Sequence, residues 1–241
     1  MGAPDITLSI VSHGQNALVN PLLGDVQRVC AGRVALVLTQ NIPDAVPLAA
    51  GHPACPADSI VNQAPKGFGA NHNAAFARCR TPYFCVCNPD TRLSADPFPA
   101  LLPALADPRA AVAGPLVRSP AGAIEDSARR FPTAGSLLKK IFVEKRGPDY
   151  PTDQGPLEVD WLAGMFLLFR SDAYRAIGGF DEAYFLYYED VDLCHRLRAA
   201  GRAVVYEPRA EVIHDARRES RRAPWLALHH LRSALRFLAR G

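Results

Sequence analysis

The chain has 241 residues, 49% apolar and 21% charged, which is ordinary globular composition and enough for one sizeable core. Its net charge of +3 is too small to mark a nucleic-acid-binding protein. The longest apolar run, residues 161–169, is far shorter than the ~20 residues of a membrane-spanning helix. No basic, cleavable leader opens the sequence, so the expectation is a cytoplasmic protein without nucleic acid as a partner. The six cysteines, at 30, 55, 79, 85, 87 and 194, include no C-x-x-C pair. They read as buried small residues in a reducing compartment, not as a zinc site.

In chain order, "DITLSIVSH" reads as a first strand, "RVALVLTQN" as a second and "DSIVNQ" as a shorter third. "FGANHNAAFARC" has helical spacing of alanines and aromatics and stops before Pro82. "YFCVCN" is a fourth strand. "DPFPALLPALAD" reads as a helix with Asp96 at its N-cap and Pro97 in its first turn, and "AAVAGPLV" as the next strand. Residues 118–157 lose periodicity and gain Pro, Gly, Lys and Arg, as in a long functional or mobile excursion. "LEVDWLAGMFLLFRSDAY" is a strand running into a helix. A further helix runs from Glu189 to a stop at Gly201, and "RAVVYEP" is another strand. "PWLALHHLRSALRFLARG" closes as a helix with Leu228, Leu231, Leu235 and Leu238 on one face. Short apolar strands alternating with helices predict an α/β fold, Rossmann-like. The expectation is a mostly parallel mixed sheet with helices on both faces and a ligand crevice at the carboxyl ends of the strands.

Three stretches supply chemistry. In "CNPDTRL", Asp90 falls just past the fourth strand, where a carboxylate can hold a hard divalent cation; Asn-Pro-Asp is equally good turn chemistry. In "KGFGANHN", two glycines allow close backbone approach before a helix N-terminus that favours phosphate. It is not a dinucleotide fingerprint, because His72 stands where a third glycine would be, and no Walker A loop exists. In "FLYYEDVDLC", Glu189, Asp190 and Asp192 crowd a helix start. The macrodipole favours acids there. Phe180, Tyr184, Phe185 and Tyr187 share the approach, and aromatic faces beside carboxylates suit a sugar ring and a hydroxyl awaiting deprotonation.

The block "GGFDEAYFLYYEDVDLCHRLRAAGRAVVYEP" strongly resembles the acceptor side of family 2 glycosyltransferases, nearest their rhamnosyltransferase-like branch. "LSIVSHG", "GFGANHNAAF", "NPD", "SARRFPT", "VDWLAGMFLLFRSDAY" and "HHLRSALRFL" extend the resemblance over most of the chain. It implies the GT-A fold and an inverting transfer from a nucleoside-diphosphate sugar, dTDP- or UDP-linked, with L-rhamnose favoured. The implied acceptor is a hydroxyl of a glycan or lipid-linked glycan in bacterial surface polysaccharide assembly. It implies that Asp90 binds Mg²⁺ or Mn²⁺ with the donor diphosphate and that Asp190 is the general base. Ser12, Asn41, Gly69 and Asn73 map to donor contacts and Trp161, Asp181 and Glu189 to the acceptor side. His214, in "EVIHD", matches a histidine that completes the metal site in some relatives; a structural histidine is the alternative. Many relatives carry an acid after the second strand that contacts the base; here Gln40 or Asn41 must substitute. The helix N-terminus should lower the pKa of Asp190, while a nearby diphosphate would raise it. A degenerate, non-catalytic nucleotide-sugar-binding or assembly protein of the same fold is the rival reading.

The expected organisation is one GT-A catalytic domain over 1–220, with a nucleotide-sugar half (1–95) and an acceptor half (96–220), then a basic amphipathic helix over 221–241. From Arg209 onward there are eight arginines against three acids. With Trp225 and the leucine face, that pattern suits peripheral contact with an anionic membrane; the alternative is that the leucines pack on the domain or a second subunit.

Overall fold

The first strand, β1 (Ile6–His13), sits in the middle of a sheet and is buried along nearly its whole length. A computed structural model describes residues 3–49, 57–133, 135, 147–215 and 224–240. β1 pairs in parallel with β2 (Val34–Ile42) on one side and β4 (Tyr83–Cys87) on the other, and β2 pairs in parallel with β3 (Ala57–Val61). Beyond β4 lies β11 (Phe166–Arg170), antiparallel to it, then β6 (Ala110–Arg118) and β12 (Ala203–His214), which are parallel to each other. The two-residue β5 (Thr91–Arg92) closes the order β3-β2-β1-β4-β11-β6-β12-β5, while β7 (Ile124–Glu125) and β9 (Leu157–Glu158) pair off its edge. The six longer strands other than β11 thus run one way. β8 (Ala128–Arg129) and β10 (Trp161–Leu162) form a separate ribbon. This is the mostly parallel mixed sheet expected.

The sheet is apolar on both faces because its residues alternate between two cores. Phe166 and Leu168 of β11, with Cys85 and Cys87 of β4, face α1 (Asn16–Val29) and α3 (Phe98–Ala104). Leu167 and Phe169, with Phe84 and Val86, face α4 (Ser171–Ala176), α5 (Glu189–Ala199) and α6 (Pro224–Leu238). Each fully buried Leu, Ile or Phe contributes about 1.5–3 kcal/mol, so strands covered on both faces are the stable centre of the fold. Among the described residues all five cysteines are free and buried; Cys55 lies outside them.

Four features depart from or sharpen the sequence reading. α1 was not assigned to any element there; it carries Pro21 in its interior yet buries Val19, Leu22, Leu23 and Val26 on one face. Asp96 does cap α3, accepting the Phe98 N–H at 3.0 Å, though the helix starts after Pro97. The last strand runs on past Pro208 to His214 through a register shift between Glu207 and Glu211, a bulge that lets proline stand in a strand. The stretch 118–157 contains β7, β8 and the start of β9; residues 134 and 136–146 of it lie outside the described ones. So do residues 216–223, where the expected boundary of the closing helix falls.

Candidate active site

At the carboxyl ends of β1 and β4, a cleft of about 500 Å³ opens between α2 (Phe68–Phe76) and the start of α5. Asn41, Asp90, Glu189 and Asp190 all line it, as do His13, Lys66 and His72. Four of the residues expected to work together from distant parts of the sequence are therefore brought to one cavity. Ser12, Gly69, Asn73, Trp161, Asp181 and His214 do not line it.

Asp90 follows β4 on a short turn. The turn is held where the Asn88 N–H donates to the Met165 carbonyl and the Asp215 N–H to the Asp90 carbonyl, each at 2.9 Å. The next residues are tied to α1, since Arg92 Nε donates to Asp25 at 2.6 Å and the Leu93 N–H at 3.1 Å. The β12 bulge carries His214 to Asp90: His214 Nε2 is 3.3 Å from Asp90 Oδ1, and its Nδ1 is 2.8 Å from Glu125 Oε2. Burial alone would lower the His214 pKa, but Asp90 and Glu125 together raise it. Asp90 Oδ1 is buried without a hydrogen-bond partner. A buried carboxylate oxygen whose contact is an imidazole at 3.3 Å, on the wall of a cleft, fits a hard divalent cation that takes only one or two protein ligands. Among the described residues no group of three or more acidic, histidine or cysteine side chains is placed to hold a metal by itself. Glu125, which was absent from the sequence reading, is the group that orients His214.

The acid cluster divides three ways. Tyr187 and Tyr188 both take left-handed backbone, φ 69° and 68°, a conformation costing about 1–2 kcal/mol per non-glycine residue. That double turn swings α5 so that its first residues enter the cleft wall. Asp190 is half-buried; its Oδ2 accepts the Gly164 N–H at 2.9 Å and its Oδ1 the Val191 N–H at 2.8 Å. Burial raises its pKa and outweighs those two donors and Arg129, which lower it. Desolvation, which was not one of the two influences weighed from the sequence, is the larger effect here. Glu189 is buried, and its Oε2 has no partner. Burial, reinforced by the Asp190 charge, pushes it up to about 8. Asp192 is different: Arg196 Nε donates to it at 2.7 Å and Arg240 at 3.2 Å, so it is a structural ion-pair member.

Asn41 lines the cleft with its amide fully used. Its Nδ2 contacts His13 Nδ1 and the Lys66 carbonyl, each at 2.9 Å, while its Oδ1 accepts from Asn62 and the Lys66 N–H, each at 2.8 Å. It fastens the loop before α2 and leaves His13 and Lys66 as the groups at this end of the cleft. His72 is completely buried, its Nδ1 2.8 Å from Ser9 Oγ and its Nε2 unpartnered; burial drops its pKa to about 3, so the ring is neutral.

The remaining predicted residues are engaged elsewhere. Ser12 Oγ donates to Asn16 and accepts the Gln15 N–H just ahead of α1. Gly69 faces Phe180, where an added Cβ would lie 2.6 Å from the phenyl Cβ. Asn73 binds the Phe180 N–H and carbonyl and the Tyr174 hydroxyl. Gly69 and Asn73 thus dock α2 on the loop leading to the acid cluster. Trp161 Nε1 donates to the Arg130 carbonyl at 2.9 Å, with Arg129 over its ring. Asp181 pairs with Arg240 of the C-terminal segment at 2.6 Å.

A sheet of this topology, with an acid on one wall of a cleft and an acid pair on the other, agrees with the GT-A fold that the resemblance implied. Residues 4–232 match the family model "Glycosyltransferase like family 2", and the chain belongs to that family. It is 42% identical over 169 residues to the N-acetylglucosaminyl-diphospho-decaprenol L-rhamnosyltransferase of Mycobacterium tuberculosis, covering 64% of this chain and 54% of that protein. It is 32% identical over 186 residues to rhamnosyltransferase WbbL of Escherichia coli, covering 72% and 70%. The chain thus spans about half the length of the mycobacterial relative. Among solved structures, GalNAc-T7 with UDP, GalNAc and Mn²⁺ superposes with a TM-score of 0.66 at 12% identity, over 90% of this chain and 44% of that one. The mannosyltransferase PcManGT of Pyrobaculum calidifontis, in complex with GDP-Man and Mn²⁺, gives 0.61 at 13% identity, over 91% and 59%. These distant likenesses establish the fold.

Proposed function

We propose that this protein is an inverting glycosyltransferase that moves L-rhamnose from a nucleoside-diphosphate donor to a hydroxyl of a lipid-linked glycan. In this reading it works in bacterial surface polysaccharide assembly, at the cytoplasmic face of a membrane that its C-terminal helix touches. The observation that carries the reading is the placement on one cleft of Asp90, with His214 in contact with it, and the half-buried Asp190. The rhamnosyltransferase names of the two relatives support the sugar, and the diphospho-decaprenol of one supports the acceptor class.

Asp90 and His214 would hold Mg²⁺ or Mn²⁺, which when bound offsets the charge developing on the leaving diphosphate. Lys66 lines the same end of the cleft and adds a cation toward phosphate oxygens. Neutral His72 also lines this cleft, its second nitrogen buried and without a protein partner. Asp190 accepts the proton of the acceptor hydroxyl as the oxygen bonds to the anomeric carbon and the nucleoside diphosphate departs from the opposite face, inverting its configuration. The raised pKa of Asp190 makes it a stronger base than an exposed aspartate. Glu189, protonated at neutral pH, can donate a hydrogen bond to the acceptor without adding a second negative charge beside the base. A non-catalytic nucleotide-sugar-binding protein would have no use for a desolvated carboxylate pair, whose burial costs stability.

Asp190→Asn tests this assignment. It should retain donor binding, read as nucleotide-induced thermal stabilisation, and lose about two to four orders of magnitude in turnover. Transfer within tenfold of the parent would remove Asp190 from the role.

A further inference from the structure

We propose that the outward face of α6 is a docking surface for an anionic lipid bilayer, which seats the cleft mouth on the membrane. The surface begins with a division of α6 into two faces, with three of the four leucines read on one face in the sequence exposed together. The inner face is Leu226, Ser233, Ala234 and Phe237, all buried, with Phe237 packed on Tyr188 and His195. Ser233 Oγ donates to the Leu186 carbonyl at 2.9 Å, and Arg240 pairs with Asp181 at 2.6 Å. These bonds fix the rotation of the helix. Trp225, Leu228, Leu231 and Leu235 are left 54%, 47%, 56% and 58% exposed along the other face. Turning the leucines inward would require breaking the whole inner contact.

The chemistry of that face selects its occupant. Residues 224–240 contain no acid and three arginines, of which Arg236 and Arg240 pair with Asp181 of the domain and Arg232 is exposed beside the stripe; four more arginines, at 217, 218, 221 and 222, stand just before the helix in the sequence. An apolar stripe with a terminal tryptophan and arginine flanks suits the interface of a negatively charged bilayer.

The stripe is also continuous with the site. Trp225 and Leu226 line the cleft together with Phe185, Leu186 and Tyr187, and Phe185, 42% exposed, stacks on His229 of α6. A membrane in contact with the stripe therefore meets the cleft at its rim. On the proposed function, an acceptor anchored in that membrane could present its sugar to Asp190 without leaving the lipid.

The test is binding of the full chain to phosphatidylglycerol and to phosphatidylcholine vesicles, followed by tryptophan fluorescence and co-sedimentation. The chain has two tryptophans, and Trp161 is only 8% exposed, so a vesicle-induced blue shift reports Trp225. The expected result is a blue shift and sedimentation with phosphatidylglycerol, weakened by salt and absent with phosphatidylcholine. The triple variant Leu228→Gln, Leu231→Gln, Leu235→Gln should bind vesicles at least about tenfold more weakly. Its melting temperature and nucleotide-induced stabilisation should match the parent. No vesicle binding by the parent, or equal binding by the triple variant, would overturn the proposal. So would a dimer in solution that the triple variant dissolves, because the face would then belong to a second copy. Loss of nucleotide-induced stabilisation in the parent would count against the function reading and leave the vesicle result to judge the surface separately.

Discussion

Replacing Glu189 by glutamine should stabilise the protein at neutral and alkaline pH. Glu189 is buried, its Oε2 has no partner and Asp190 is its sequence neighbour, so its pKa rises from 4.5 to about 8. The folded state then binds a proton that the unfolded chain has released, and stability falls as pH climbs between those values. Each pH unit in that window is worth about 1.4 kcal/mol, which gives an upper bound of roughly 5 kcal/mol for a group titrating alone. Proton sharing with Asp190 brings the expected penalty to about 2–4 kcal/mol. Glutamine keeps the shape and never ionises. The difference in melting temperature between variant and parent should be near zero at pH 4.5, grow steadily upward, and level off above about pH 8. Thermal melts across that range read it directly. A flat difference, or a parent that gains on the variant as pH rises, would refute the argument that Glu189 is a desolvated acid. Transfer should fall in the same variant, marking a site where stability is given up for function.

Three further outcomes follow from the geometry. His214→Ala removes the imidazole beside Asp90 Oδ1; calorimetric titration of Mn²⁺ in the presence of a nucleoside diphosphate should show affinity lower by about ten- to a hundredfold. Gly69→Ala forces a Cβ to 2.6 Å from Phe180 and should cost about 1–3 kcal/mol in denaturant melts; an unchanged midpoint would mean α2 is not locked on that loop. Asn41→Ala leaves the Lys66 N–H unpaired and takes one partner each from the Lys66 carbonyl and Asn62, which keep Asn71; this should lower stability by about 1–3 kcal/mol. It should also weaken nucleotide binding, measured by thermal shift, through the loosened Lys66 loop.

The sheet was legible because its strands are short, apolar on both faces and punctuated by Gly, Pro and Asn, a pattern few other architectures produce. α1 was not, although Val19, Leu22, Leu23 and Val26 have helical spacing, because Pro21 and Gly24 in its interior read as breaks. Asp90 and Asp190 were visible as chemistry through the motifs that contain them. Their neighbours in space were not. His214 reaches Asp90 only because β12 continues through a bulge at Pro208, a residue that reads as the end of a strand. Glu125, which holds His214, lies in a stretch with no periodicity at all. Nor could spacing foretell that Gly69 and Asn73 would be spent on Phe180, or that the leucines of α6 would face outward. Those outcomes depend on which face of a helix meets which loop.

The most direct test of the central claim is to mix the protein with dTDP-rhamnose, Mn²⁺ and a short-chain diphospho-polyprenol carrying N-acetylglucosamine, and to follow the lipid by mass spectrometry. The account predicts addition of one deoxyhexose, dependent on metal and abolished by Asp190→Asn. Tight, metal-dependent nucleotide binding with no transfer to this or any other lipid-linked glycan, and no release of nucleoside diphosphate, would contradict it.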